Sequence, residues 1–174
     1  MHERSLDMGS LRKACLATLV AVAAWVVLCG ATAGDRAPPL AGARSAGGRV
    51  DLGQLRGRVV IVDFWASWCE PCRRSFPVLD SLSRRMESRG LTVVAVSVDD
   101  EASNVRRFVA ELRPSFAIVH DQDHQIAERW APDAMPTTFV IDRRGFVRAV
   151  FAGFRDGDAA ALERAVLATL ADST

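Results

Sequence analysis

The sequence predicts an α/β fold, a central mixed β-sheet flanked by helices, preceded by an N-terminal export segment. Three observations carry that expectation. Apolar runs of strand length, such as Val59-Val60-Ile61-Val62-Asp63-Phe64, alternate with segments whose apolar residues recur at helical spacing. The chain opens on a strand–helix–strand unit and closes on two strands joined by a four-residue turn, so parallel and antiparallel pairing share one sheet. The first 33 residues differ in composition from everything that follows.

That first segment has a basic head of Arg4, Arg12 and Lys13. An apolar run from Ala14 to Cys29 follows, broken only by Thr18, and then the small-x-small triplet Ala31-Thr32-Ala33. This is the pattern of a secretory signal peptide cut after Ala33. The alternative is an uncleaved anchor that associates residues 14–33 with a membrane. A bilayer span takes ~20 apolar residues, so length does not separate the two. Leu28 stands where a lipoprotein would need a small residue before Cys29. The division expected is therefore 1–33 for export or anchoring and 34–174 for the folded domain, placed in the periplasm or elsewhere outside the cytoplasm. Cys15 and Cys29 would lie about 21 Å apart along a helix, too far to bridge, and read as small apolar residues of the export segment.

Within the domain, residues 34–49 are rich in Ala, Gly, Pro and Arg, a lead-in with a short hairpin near Gly47-Gly48. The run 59–64 is a strand buried on both faces. Residues 70–88 form a helix burying Phe76, Leu79, Leu82 and Met86, and 92–98 a second β-branched strand. Val105, Phe108, Val109 and Leu112 fall at i, i+3, i+4 and i+7, an amphipathic helix. A short strand at 116–119 and a short helix at 122–130 follow. Strands 137–141 and 146–151 are joined by Asp142-Arg143-Arg144-Gly145, and a last helix at 158–171 buries Leu162, Val166 and Leu170.

Composition removes several function classes. The chain has 174 residues, 49% of them hydrophobic and 25% charged, with a formal net charge of +1, so neither a disordered tail nor a multi-span membrane protein fits. Without residues 1–33 the domain carries equal numbers of basic and acidic groups, which argues against a nucleic-acid-binding surface. A domain of this size holds its core without a metal or a disulfide staple.

Chemistry is concentrated at Trp68-Cys69-Glu70-Pro71-Cys72, where the buried strand hands over to a helix. Cysteines at i and i+3 on a helix start face the same way and can close and reopen a small disulfide ring. Cys69, at the helix N-terminus, meets unpaired N–H groups and partial positive charge, which favour its thiolate. Cys72, one turn inward, is placed to resolve a mixed disulfide. A zinc site would need more ligands than His120 and His124 could add from a distant loop. Covalent haem attachment would need His where Arg73 stands. A purely structural disulfide here closes too short a loop to stabilise much. A redox-active dithiol is the reading the context favours, with no metal and no cofactor expected.

The stretch Val59 to Pro77 resembles the active-site segment of the thioredoxin superfamily, and in particular its exported, often membrane-tethered TlpA/ResA/CcmG-like thiol–disulfide oxidoreductases. Asp63-Phe64-Trp65-Ala66 leads into Trp68-Cys69, Pro77 falls five residues after Cys72, and Met135-Pro136-Thr137-Thr138 precedes a strand. The resemblance covers about residues 38–170 and implies a thioredoxin-like fold. It implies Cys69 as nucleophile, Cys72 as resolving thiol and a redox-active Cys69–Cys72 disulfide. Pro136 matches the family's cis-proline, and the Met135 backbone is then expected to pair with an extended substrate strand. Trp68 is expected to shield the disulfide and offer an apolar docking face, or else to form a half-buried core edge. Asp63 matches the superfamily's proton-relay carboxylate. Ala95 stands where a partner lysine would be, and the alternative is an Asp bonded to backbone.

Glu70 sets a negative charge beside Cys69 and opposes its thiolate, which makes the couple more reducing. The resemblance thus implies a reductant of disulfides in exported partner proteins, apocytochrome c most readily, working as a monomer and drawing electrons from a membrane thiol donor. Ser75 stands where ResA-like members often carry an acidic residue. A thiol peroxidase of the same fold is the second reading, but the position seven before Cys69 is Val62 rather than the required proline. A non-catalytic docking module is the third, disfavoured by the presence of both cysteines and the proline. Arg73-Arg74 and Arg84-Arg85 read as a solvated helix face, Asp99-Asp100-Glu101 as a charge cluster at a helix N-terminus. His120 and His124 read as surface residues and Trp130 as packing.

Overall fold

The computed structural model describes residues 30–172, so most of the segment expected to serve export or anchoring, with Cys15 and Cys29, lies outside the described residues. A short hairpin comes first, β1 (Ala41–Ala43) against β2 (Arg49–Asp51). Its turn is held at Gly47 and Gly48, whose φ of 91° and 82° a side chain would resist. Asp51 then caps a 3₁₀ turn over Leu52–Leu55 by accepting the Gly53 N–H.

The main elements follow in order: β3 (Val59–Trp65), α1 (Glu70–Met86), β4 (Leu91–Ser97), α2 (Ala102–Leu112), β5 (Ala117–His120), α3 (Gln125–Trp130), β6 (Thr137–Ile141), β7 (Val147–Ala152) and α4 (Asp158–Ala171). The sheet runs β5-β4-β3-β6-β7, parallel from β3 through β5 and antiparallel from β3 through β7. This is the mixed sheet expected from the strand–helix–strand opening and hairpin finish.

β3 is central and buried along its whole length, as its unbroken apolar run demands. Alternation splits its side chains between two cores. Val59, Ile61 and Trp65 face α1, α2 and α4 and pack with Phe76, Leu79, Phe108, Leu162 and Val166. Val60, Val62 and Phe64 face the N-terminal hairpin and α3, packing with Leu40, Val50, Trp130 and Phe139. Trp130 is thus a packing residue, its ring 5.6 Å from Phe64 and 5.0 Å from Phe139. Each buried Phe or Leu on α1 contributes roughly 1.5–3 kcal/mol of transfer free energy.

Boundaries move for identifiable reasons. The helix expected over 122–130 begins only at Gln125, because the Asp121 carboxylate accepts the Ile126 and Ala127 N–H groups at 3.0 and 2.7 Å and holds the preceding residues in a turn. The helix expected to 88 leaves α geometry after Met86 and tightens into a 3₁₀ turn over Glu87–Arg89, ending at Gly90 with φ 96°. Between β6 and β7, the Asp142 carboxylate accepts the Arg144 and Phe146 N–H groups and fixes the turn. A bulge near Val140 and Ile141 shifts the register, so β7 runs 147–152 rather than 146–151.

Candidate active site at the β3–α1 junction

The junction is short. β3 ends at Trp65, three residues follow, and Cys69 caps α1. The turn closes with the Cys69 N–H donating to Ala66 C=O at 3.1 Å. Cys69 keeps an extended backbone, φ −89° and ψ 105°, and its sulfur accepts the Cys72 N–H at 3.2 Å. Glu70 opens the helix and Pro71 follows in its first turn, where the missing N–H costs nothing. The two sulfurs are joined in a disulfide, with the Cα atoms 5.3 Å apart. Cys69 is 4% exposed and Cys72 is fully buried, so any approach from solvent meets Cys69 first.

Trp68 is the exposed large hydrophobic side chain of the described residues, at 71%. It therefore stands out from the surface instead of forming a half-buried core edge. Beneath the disulfide, Trp65, Phe76 and Phe108 form an aromatic cluster with ring centroids 4.4–5.0 Å apart. Ser75 is buried, and its hydroxyl donates to Cys72 C=O at 3.0 Å, spending the position on helix geometry rather than charge.

The peptide before Pro136 is cis, as the resemblance implied. Pro136 is buried and Met135 half-buried, packed against the core cluster that contains both cysteines. The Pro136 C=O accepts the Gly153 N–H at 2.7 Å, whereas the Met135 N–H and C=O have no partner among the described residues.

Asp63 shares the face of β3 that carries Ile61 and Trp65, the face turned to α1 and Cys72. Its neighbour in β4 is Ala95, so no cation faces it from that strand. The alternative of a backbone hydrogen bond does not hold. Oδ1 instead accepts the Thr138 hydroxyl at 2.6 Å from β6, and Oδ2 has no partner among the described residues. Burial pushes the carboxyl up from 3.8 to about 7, against the opposing pull of the Thr138 hydrogen bond.

Several sequence readings change. Asp99, read as part of a charge cluster at a helix N-terminus, is 2% exposed, and its carboxylate accepts from Ser67 and Ser97. His120 and His124 are both half-buried; His120 Nε2 donates to Asp99 C=O at 2.6 Å, and His124 pairs with Asp100 at 3.0 Å. Arg73 does more than keep its face soluble: it bonds Glu111 at 2.7 Å and stacks over Phe108 at 4.9 Å, tying α1 to α2. Arg74 reaches Phe154 C=O at 3.5 Å. The sequence signal for Asp99 was its place directly after a buried strand, at the same sheet end as the cysteines.

Comparison with known proteins places this arrangement. The Redoxin family model matches residues 32–166. The thiol-disulfide oxidoreductase ResA of Bacillus subtilis is 35% identical over 107 residues, covering 62% of this chain and 60% of its own length. That of Geobacillus thermodenitrificans is 33% identical over 102 residues, covering 59% of each. The chain thus spans about three fifths of the length of the curated relatives it matches. A crystal structure from Chlorobium tepidum, described as a candidate thiol:disulfide interchange protein DsbE, superimposes with a TM-score of 0.78 at 38% identity, covering 81% of this chain and 99% of the other. With its mixed sheet and its cysteine pair at the end of the central strand, the chain belongs to the Redoxin family and has the thioredoxin fold of ResA- and DsbE-like proteins.

Proposed function

We propose that this chain is a thiol–disulfide oxidoreductase that reduces disulfides in partner proteins outside the cytoplasm. The observation that carries the reading is Cys69 at the tip of α1, closed onto buried Cys72 and flanked by exposed Trp68. In the reduced protein the Cys69 thiolate attacks one sulfur of a substrate disulfide, forming a mixed disulfide and releasing one substrate thiolate. Cys72 then attacks the Cys69 sulfur, the second substrate thiolate leaves, and the Cys69–Cys72 disulfide holds the two electrons' worth of oxidation. A carboxyl poised near neutrality, as at Asp63, suits acceptance of the Cys72 proton during resolution. Substrate docking rests on the apolar face of Trp68 and the free backbone of Met135, which favours an extended peptide segment carrying the disulfide.

Apocytochrome c is the first substrate to test, with a membrane thiol donor restoring the dithiol. The partition into residues 1–33 for export or anchoring and 34–174 for catalysis belongs to the same reading. Among the described residues no helix is long and apolar enough to cross a membrane. Glu70 beside Cys69 supports a reducing couple. Reduction of insulin by the dithiol form, followed by turbidity, tests the activity. A Cys72→Ser variant should trap substrates as mixed disulfides on Cys69; failure of both would overturn the proposal.

A further inference from the structure

We infer that Asp99 is a positioning residue for the Cys69–Cys72 pair, acting through Ser67. Three donors converge on its carboxylate. The Ser67 N–H meets Oδ2 at 2.9 Å, the Ser67 hydroxyl meets Oδ1 at 2.6 Å, and the Ser97 hydroxyl meets Oδ2 at 2.8 Å. The far side is equally fixed. The Asp99 N–H donates to the Ser97 hydroxyl oxygen at 3.1 Å, His120 Nε2 donates to the Asp99 C=O at 2.6 Å, and the Val98 N–H donates to Trp65 C=O at 2.9 Å.

The geometry gives this network a task. Only Ala66, Ser67 and Trp68 separate the end of β3 from the Cys69 cap, and Ser67 is the middle one. Holding both its N–H and its hydroxyl fixes the chain direction entering Trp68 and Cys69. That hold turns the Trp68 ring outward although burial would favour the opposite. A buried carboxylate is expensive unless it is fully hydrogen-bonded, so a packing role alone would be served better by an apolar residue. Asp99 instead anchors the loop to the end of β4, the strand paired with β3. By restricting Cys69 it raises the effective concentration at which the two sulfurs meet, and so favours the closed disulfide over the open dithiol.

The inference rests on the oxidoreductase reading for its purpose, but its test does not need a substrate. The reduced protein is equilibrated with glutathione: protein dithiol plus glutathione disulfide gives protein disulfide plus two glutathione. Asp99→Asn keeps the shape and sets an N–H₂ against the serine donors; Ser67→Ala removes one hydrogen bond from the loop side. Each should lower the equilibrium constant for oxidation at least threefold, while Ser67→Thr, which keeps the hydroxyl, should hold the wild-type value. The double variant should fall by less than the product of the single falls, since both break one network. Near-UV circular dichroism verifies folding, and Ser67→Ala carries the test if Asp99→Asn does not fold. Unchanged constants in folded variants, fully multiplicative effects, or a Ser67→Thr variant as impaired as Ser67→Ala would overturn the inference. Insulin reduction by the wild type is run beside it: inactivity there counts against the oxidoreductase reading, while the glutathione constants still decide the clamp.

Discussion

Replacing Asp63 by asparagine should make the protein more stable above neutrality, by an amount set by burial. The carboxyl is pushed up by burial from 3.8 to about 7, and the single hydrogen bond from Thr138 offsets only part of that. A group whose folded value lies above its unfolded value binds more protons when folded. Its ionisation therefore costs nothing below about pH 4; stability is lost as pH rises from there to about 7 and stays lost above. At about 1.4 kcal/mol per pH unit, that rise is worth on the order of 4 kcal/mol. The Asp63→Asn side chain keeps an acceptor for the Thr138 hydroxyl but cannot ionise. Urea unfolding of both proteins between pH 4 and pH 9 is the assay, read as the difference between variant and wild type. That difference should rise in favour of the variant through pH 4–7 and then level off, with a melting-temperature gap on the order of 10 °C at the plateau. A flat difference curve would mean that Asp63 ionises without cost, and the account of its environment would be wrong. The same variant should resolve mixed disulfides more slowly and lose the inflection near pH 7 in its rate profile; an unaltered rate and profile would remove Asp63 from the mechanism.

Three further outcomes follow from the same geometry. Thr138→Val removes the hydrogen bond that holds Asp63 down, so the midpoint of the pH-dependent stability loss should move above that of the wild type, read by the same urea series. Trp68→Ala should leave stability within about 0.5 kcal/mol, because the ring is exposed, yet lower kcat/KM for a protein disulfide on the order of tenfold; comparable loss with a small disulfide would argue against docking. Glu70→Gln should favour the Cys69 thiolate and raise the reduction potential measured against glutathione, and a potential that falls would reverse the role assigned to that charge.

Much of the site is legible from local pattern. Cysteines at i and i+3 after a buried strand specify a helix cap and a closable ring, and Cys69 and Cys72 occupy those places. Helix and strand order follows from apolar periodicity, and errors are confined to ends such as Gln125, where a carboxylate from Asp121 overrides the pattern. The environment of each polar residue is less legible. Asp99 reads as one of a charge cluster with Asp100 and Glu101 at a helix N-terminus, yet it is buried while those two are exposed. Trp68 reads equally well as core or surface, since hydrophobicity alone does not give direction at a turn.

By itself the sequence determined the alternation of strands and helices, the mixed sheet and the cysteine pair, because each depends on residues a few positions apart. Only the tertiary structure decided what those residues face. Asp63 meets Thr138 across 75 positions because β3 pairs with β6, and Ser67 meets Asp99 across 32 because β3 pairs with β4. Such contacts are fixed by sheet register, which arises when two hydrophobic faces are buried together, and no local periodicity encodes it.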